Sequence, residues 1–180
     1  MRRLALATFA FTASLTAASA QHQPYAGLDA RPIKALSEQQ IDDLKAGRGM
    51  GLALAAELNG YPGPMHVLEL ADQLGLTQEQ RTHVQSLFAG MKAEAVPLGE
   101  KLIAQERELD RQFAQNLITP ASLAGATVEI GETQAALRNA HLKYHLATLD
   151  ILTPDQTQRY AELRGYHGSR QQHRAPHQHK

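Results

Sequence analysis

From Leu76 to Leu117 apolar side chains recur at steps of mostly three and four, at Val84, Leu87, Phe88, Met91, Ala95, Leu98, Leu102, Leu109, Phe113 and Leu117. That spacing predicts one long amphipathic helix. It opens at Leu76-Thr77-Gln78-Glu79-Gln80. The Thr77 hydroxyl can accept a first-turn backbone N–H, Gln80 can reach back to close a capping box, and Glu79 places an anion at the positive end of the helix. A straight helix from Thr77 to Asn116 would be roughly 60 Å long, whereas a compact chain of this size is about 40 Å across. Such a helix must kink, protrude or find a partner. Pro97 marks the place for a kink because it cannot donate to the Ala93 carbonyl, and Gly90 and Gly99 weaken the same region.

A second long helix is predicted from Ala121 to about Asp150, with Thr119 as N-cap and Pro120 in its first turn. The short connection makes it antiparallel to the first. At 100° per residue, Leu123, Ile130, Leu137, His141, Tyr144 and Thr148 share one face, and Val128, Ala135, Leu142, Leu146 and Leu149 share a roughly opposite one. One face can pack on the long helix. The other must meet the short N-terminal helices, a second subunit or a client. Leu152-Thr153-Pro154-Asp155-Gln156 then repeats the opening pattern of cap, first-turn acid and closing glutamine.

Upstream, Gln21 to Leu36 carries Pro24, Gly27 and Pro32 with little periodicity and reads as an extended leader. Residues 37–64 read as short helices and a turn. Ser37 and Gln40 form a capping box for a helix through Ile41 and Leu44 that Gly47 ends. Gly47-Arg48-Gly49-Met50-Gly51 has no strand before it, so it is a linker rather than a phosphate loop. A second short helix covers Leu52 to Leu58, and Tyr61-Pro62-Gly63-Pro64 is a rigid turn into a helix from Met65 to Leu74.

Composition sharpens the class. The chain has 180 residues, 43% hydrophobic but only 5% aromatic, with no net formal charge and no cysteine. Helix-forming Ala, Leu, Gln and Glu point to an all-α fold: a long kinked helical hairpin with short flanking helices. Residues 1–20 read as an export signal, with Arg2 and Arg3 before the apolar Leu4 to Leu15 and a small-residue cleavage site ending at Ala20. The apolar run is too short for a spanning helix, so no membrane insertion of the mature chain is expected. Removing Arg2 and Arg3 leaves more acidic than basic residues, which argues against nucleic acid as a partner. Without disulfides, an exported chain must be held by packing.

Two copies of Leu-Thr-x-x-Gln, at Leu76, Thr77, Gln80 and at Leu152, Thr153, Gln156, in a small exported helical chain resemble the Spy/CpxP family of periplasmic proteins, over about Met65 to Leu163. The resemblance implies a helical hairpin domain, residues 65–165, that pairs as an antiparallel, cradle-shaped homodimer. It also implies one of two roles. Stress chaperones of the family hold unfolding periplasmic clients on the concave face, whereas its heavy-metal sensors of the cobalt-nickel type report metal ions to a membrane-bound regulatory partner. In that sensor branch a His-x-x-x-His pair lies in an early helix with His-x-x-x-Met later, an order this chain does not keep.

Nine histidines are the remaining chemistry. His141 and His145 project from successive turns of one helix and could share a borderline metal ion. His66 and Glu69, an i, i+3 pair beside Met65, could add ligands if their helix folds back, while His83 faces solvent. After Gly165 the apolar periodicity stops, and residues 166–180 read as a disordered tail whose His167, His173, His177 and His179 can chelate nickel, copper or zinc loosely. No cofactor is required by any motif; a divalent transition metal is the one candidate. There is no His-Glu-x-x-His, no Gly-x-Ser-x-Gly and no cysteine nucleophile, and the acids around Glu106, Glu108 and Asp110 interleave with arginines as solvated helix faces do. A non-enzymatic, client-binding protein is the expectation, with metal sensing as the alternative.

Overall fold

The computed structural model describes residues 25–166; the predicted export signal and, apart from Tyr166, the predicted histidine tail lie outside them. Six α-helices and one 3-10 turn, Leu28–Ala30, make up the described residues, with no strand among them. The helices are α1, Glu38–Lys45; α2, Leu54–Glu57; α3, Pro64–Glu69; α4, Gln78–Ala114; α5, Pro120–Leu149; and α6, Pro154–Leu163. The expected all-α hairpin is the observed one, α4 packing along α5.

Capping decides where these helices begin. Ser37, Thr77, Thr119 and Thr153 each accept from the N3 backbone N–H, and the N3 side chain returns the bond to the cap N–H in all four. Each box satisfies two backbone donors that a helix start would otherwise leave open. Helix α4 runs on through Pro97 without ending there. At 37 residues it is about 55 Å long if straight. Asn116, with φ 55, sits beyond its end, and Phe113 and Leu117, assigned to the apolar stripe, are exposed in the turn region. Helix α2 is shorter than the predicted Leu52–Leu58, and α3 ends before the predicted Leu74 because the chain between Leu70 and Leu76 closes into turns capped by Gly75.

Gly90 and Gly99 have another role than weakening α4. A Cβ on Gly99 would collide with the Leu44 carbonyl at the end of α1, and one on Gly90 would lie 2.8 Å from the Tyr144 hydroxyl on α5. Glycine therefore lets a second element lie directly on the α4 backbone at both places.

Two apolar cores are strung along the hairpin. One joins Ile33, Leu36 and Leu44 to Ala95, Leu102 and Ile103 of α4 and to Ile130 and Leu137 of α5. The leader is thus part of the packing, Ile33 being fully buried. The other, at the base, joins Val67, Ala71, Leu74, Leu76 and Val84 to Leu152 and Tyr160. Between these two cores, in chain position, lie Met91 on α4 and His141 and His145 on α5, all buried.

Candidate functional site

The two Leu-Thr-x-x-Gln segments meet each other. Leu76 and Leu152 are buried in the basal core, and Thr77 and Thr153 cap α4 and α6. Gln80 Nε2 donates to Gln156 Oε1 at 2.9 Å, and Gln156 Nε2 donates back to Gln80 Oε1 at 3.1 Å. Gln80 Nε2 also donates to the Ile151 carbonyl at 3.0 Å, tying in the segment that precedes the second motif. The leucine of each motif is thus a core anchor, the threonine a helix cap and the glutamine a cross-link.

The layer between the cores is a pocket of about 420 Å³. Its floor is α4 and α5, and its rim is the Gly47–Gly51 segment and the start of α3. The glycine-rich segment that superficially resembles a phosphate loop is this rim; Met50 there holds a left-handed backbone, φ 44, flanked by Gly47 and Gly51 at φ 65 and 84. His141 and His145 both line the pocket. The His145 Nδ1–H can donate to the Tyr61 carbonyl at 2.7 Å, which assigns the lone pair of the neutral ring to Nε2. The His141 ring lies under Gly49, its Nδ1 being 3.6 Å from where a Cβ there would sit, and its Nε2 is buried with no hydrogen-bond partner among the described residues. Burial, and secondarily the neighbouring His145, push the His141 pKa below its ordinary value, so the ring is held neutral.

Beside this layer is a buried acid that the sequence did not single out. Glu57, on α2, accepts from the hydroxyls of Tyr160 and, at 2.9 Å, Tyr166 through Oε1, and from the Gly63 N–H at 3.2 Å through Oε2. Arg164 Nε lies 3.6 Å from Oε1 and His145 Nδ1 3.6 Å from Oε2. Burial, then the bond to Glu57, raise the Tyr160 pKa. The carboxylate thereby joins α2, the turn before α3, α5 and α6 at one point. Its only sequence signal was a lone acid inside the apolar run Leu52 to Leu58.

The other candidate residues are dispersed. His66 lines the pocket and pairs with Glu69 at 2.9 Å, but Glu69 is exposed and turned to solvent. His83 is exposed. His167, His173, His177 and His179 lie outside the described residues. On the second face of α5, Val128 and Leu146 are 60% and 55% exposed, Ala135 is exposed, and Leu142 and Leu149 are half-buried.

A divalent site of the hard or borderline kind needs several nitrogen and oxygen ligands gathered at one point. Among the described residues no three His, Cys, Asp or Glu side chains are so grouped. The described residues by themselves do not assemble that type of centre. What the pocket does hold beside its imidazoles is sulfur: Met50, Met65 and Met91 all line it.

An antiparallel hairpin whose two long-range cross-linked helix caps carry the same five-residue pattern defines a class of small helical proteins. The LTXXQ motif family model matches residues 64–164, more than half of the chain, and the chain belongs to that family. Its membership makes it a Spy/CpxP-like protein of a family that is typically periplasmic and generally non-enzymatic. No helix among the described residues is long and apolar enough to cross a membrane. No curated protein and no solved structure matches the chain at a significant level.

Proposed function

We propose that this chain is a non-enzymatic periplasmic protein of the Spy/CpxP type that holds exposed apolar segments of unfolding or stressed clients without ATP. The observation that carries the reading is the second face of α5, which leaves Val128, Ala135 and Leu146 open with Leu142 and Leu149 half-open beside them. Large apolar side chains left open along one helix face mark a candidate interaction site. Aliphatic side chains with few aromatics bind many sequences weakly, which suits clients that share only exposed hydrophobic surface.

The test is suppression of aggregation. Several unrelated unfolded proteins are diluted into buffer with the chain from Gln21 in stoichiometric excess, and light scattering is followed. Slower aggregation of most of them is expected, and an unchanged rate for all would overturn the reading.

A second reading, metal sensing or buffering with a membrane-bound regulatory partner, is favoured by one observation: two buried histidines one turn apart line one pocket, and His141 Nε2 has no hydrogen-bond partner among the described residues.

A further inference from the structure

All three methionines of the described residues, Met50, Met65 and Met91, line the one pocket that His141 and His145 also line. They come from three separate elements: the Gly47–Gly51 rim, the first turn of α3 and the middle of α4. We propose that this pocket is a soft-metal site, taking a monovalent cation of the Cu(I) class on thioether and imidazole donors. The inference rests on the metal-binding reading and changes it from a divalent nitrogen–oxygen centre to a sulfur–nitrogen one.

Donor chemistry is the first argument. Thioethers are soft, uncharged ligands, and together with imidazole they select Cu(I) over nickel, cobalt or zinc, which favour harder or anionic sets. The chain has no cysteine, so methionine is its only source of sulfur. The carboxylate that lines the pocket, Glu57, is already engaged by two tyrosine hydroxyls and a backbone N–H. A monovalent ion on neutral donors asks for no further anion.

The imidazoles are the second argument. A ligating histidine nearly always gives its other ring N–H to a carbonyl or carboxylate, which fixes the tautomer and the ring orientation. His145 has that arrangement, with Nδ1–H on the Tyr61 carbonyl at 2.7 Å and Nε2 beside Gly63, where a Cβ would come within 2.9 Å. His141 is only 2% exposed, and its Nε2 has no partner among the described residues. The other nitrogen of that ring, Nδ1, is the one that lies beneath Gly49 at the rim of the pocket.

The backbone is the third argument. Met50 adopts a left-handed conformation, φ 44, which is costly for a side chain of this kind and is retained where the surroundings require it. It hangs Met50 from the glycine-rich rim into the wall of the pocket.

The experiment uses the chain from Gln21 with His167, His173, His177 and His179 changed to Gln, which removes loose chelation by the tail. Anaerobic titration with Cu(I) against a chromophoric chelator, with Ag(I) as the redox-inert probe and with Ni(II) and Zn(II) in parallel, should give one tight monovalent site. X-ray absorption on the copper form should show sulfur together with nitrogen neighbours. Met50→Leu/Met65→Leu/Met91→Leu conserves volume and should weaken Cu(I) by more than about 100-fold, the upper end of what is lost when only the groups supporting a metal's ligands are changed, with circular dichroism unchanged. If the triple variant fails to fold, Met50→Leu/Met65→Leu reads the same loss, because both side chains are partly exposed. Tight Cu(I) binding untouched by these substitutions, or a copper shell without sulfur, overturns the thioether site and leaves the metal-binding reading standing. No binding of any of the four ions overturns both.

Discussion

Gln80 and Gln156, 76 residues apart in sequence, exchange side-chain amide hydrogen bonds at 2.9 and 3.1 Å. Each also accepts from the backbone N–H of its own helix cap, Thr77 or Thr153, at 3.0 Å. The two capping boxes are therefore one network that fixes the start of α6 against the start of α4. A capping box alone needs only glutamine or glutamate at that position. The amide pair needs glutamine at both, because two carboxylates could not donate to each other. This explains in physical terms why the pattern occurs twice and why it ends in glutamine.

The first prediction follows from that reciprocity. Gln80→Ala and Gln156→Ala should each cost about 1–2 kcal/mol, the loss of a cap bond plus a partly buried amide bond. The double variant should fall short of the sum by about 0.5–1.5 kcal/mol, since the second change removes a partner already lost. Urea unfolding of the four proteins measures the cycle. Strict additivity would mean the two glutamines act only as separate caps.

Much of this fold was legible beforehand because its signals are local. Ser37, Thr77, Thr119 and Thr153 announced the starts of four helices, and the periodicities of α4 and α5 announced an antiparallel pair. Contacts at long range were not legible. Nothing in the sequence said that the lone acid at Glu57 would collect hydroxyls from Tyr160 and Tyr166, over 100 residues away. Gly90 and Gly99 looked like weak points by helix propensity and turned out to be places of close approach. Met50, Met65 and Met91 sit at unrelated spacings, so no periodic template links them. His141 and His145 were found because their spacing lies within one helix.

Gly99→Ala reverses the usual sign of its exchange. In an exposed helix interior glycine to alanine gains about 1 kcal/mol. Here the new methyl group would drive into the Leu44 carbonyl, backbone that cannot rotate aside, and overpacking costs about 1–3 kcal/mol. A lowered thermal midpoint is expected, with faster proteolysis within α1. A raised midpoint would show that α1 does not press on α4 at this point.

Glu57→Ala should be among the most damaging single changes. It strands the Tyr160 hydroxyl and the Gly63 N–H in the interior, and breaking a buried hydrogen-bonded acid typically costs about 3–5 kcal/mol. Tyr160→Phe, which leaves Gly63 and Tyr166 on the carboxylate, should cost less. The same contact makes the fold sensitive to alkali. Burial, and then Glu57, raise the Tyr160 pKa above its ordinary 10.0, so the stability this phenol contributes is fully present below pH 10 and declines as pH rises past it. Chemical denaturation at a series of alkaline pH values should show that decline in the parent, and a shallower one in Tyr160→Phe.

The exposed face of α5 bears on assembly. Leu146 is 55% and Val128 60% exposed, and burying such side chains is worth about 1.5–3 kcal/mol each, a large share of the about 5–15 kcal/mol that stabilises a domain. The competing cover was the segment from Ile41 to Leu58. That segment instead sends Leu44 into the core with α4 and packs Ile41 and Leu52 against it, while Met50 and Leu52 also line a cavity shared with Ala135. Leu146 is left uncovered within one chain. A homodimer that buries this face should therefore be broken by Leu146→Glu, which places a charge where two apolar surfaces would meet, while the open position keeps the helix itself unharmed. Sedimentation of the chain from Gln21 at micromolar concentration should give a dimer for the parent and a monomer for the variant, with matching circular dichroism. A parent that sediments as a monomer would leave this face to clients alone, and a variant that loses its helices would show that Leu146 serves the monomer's own core.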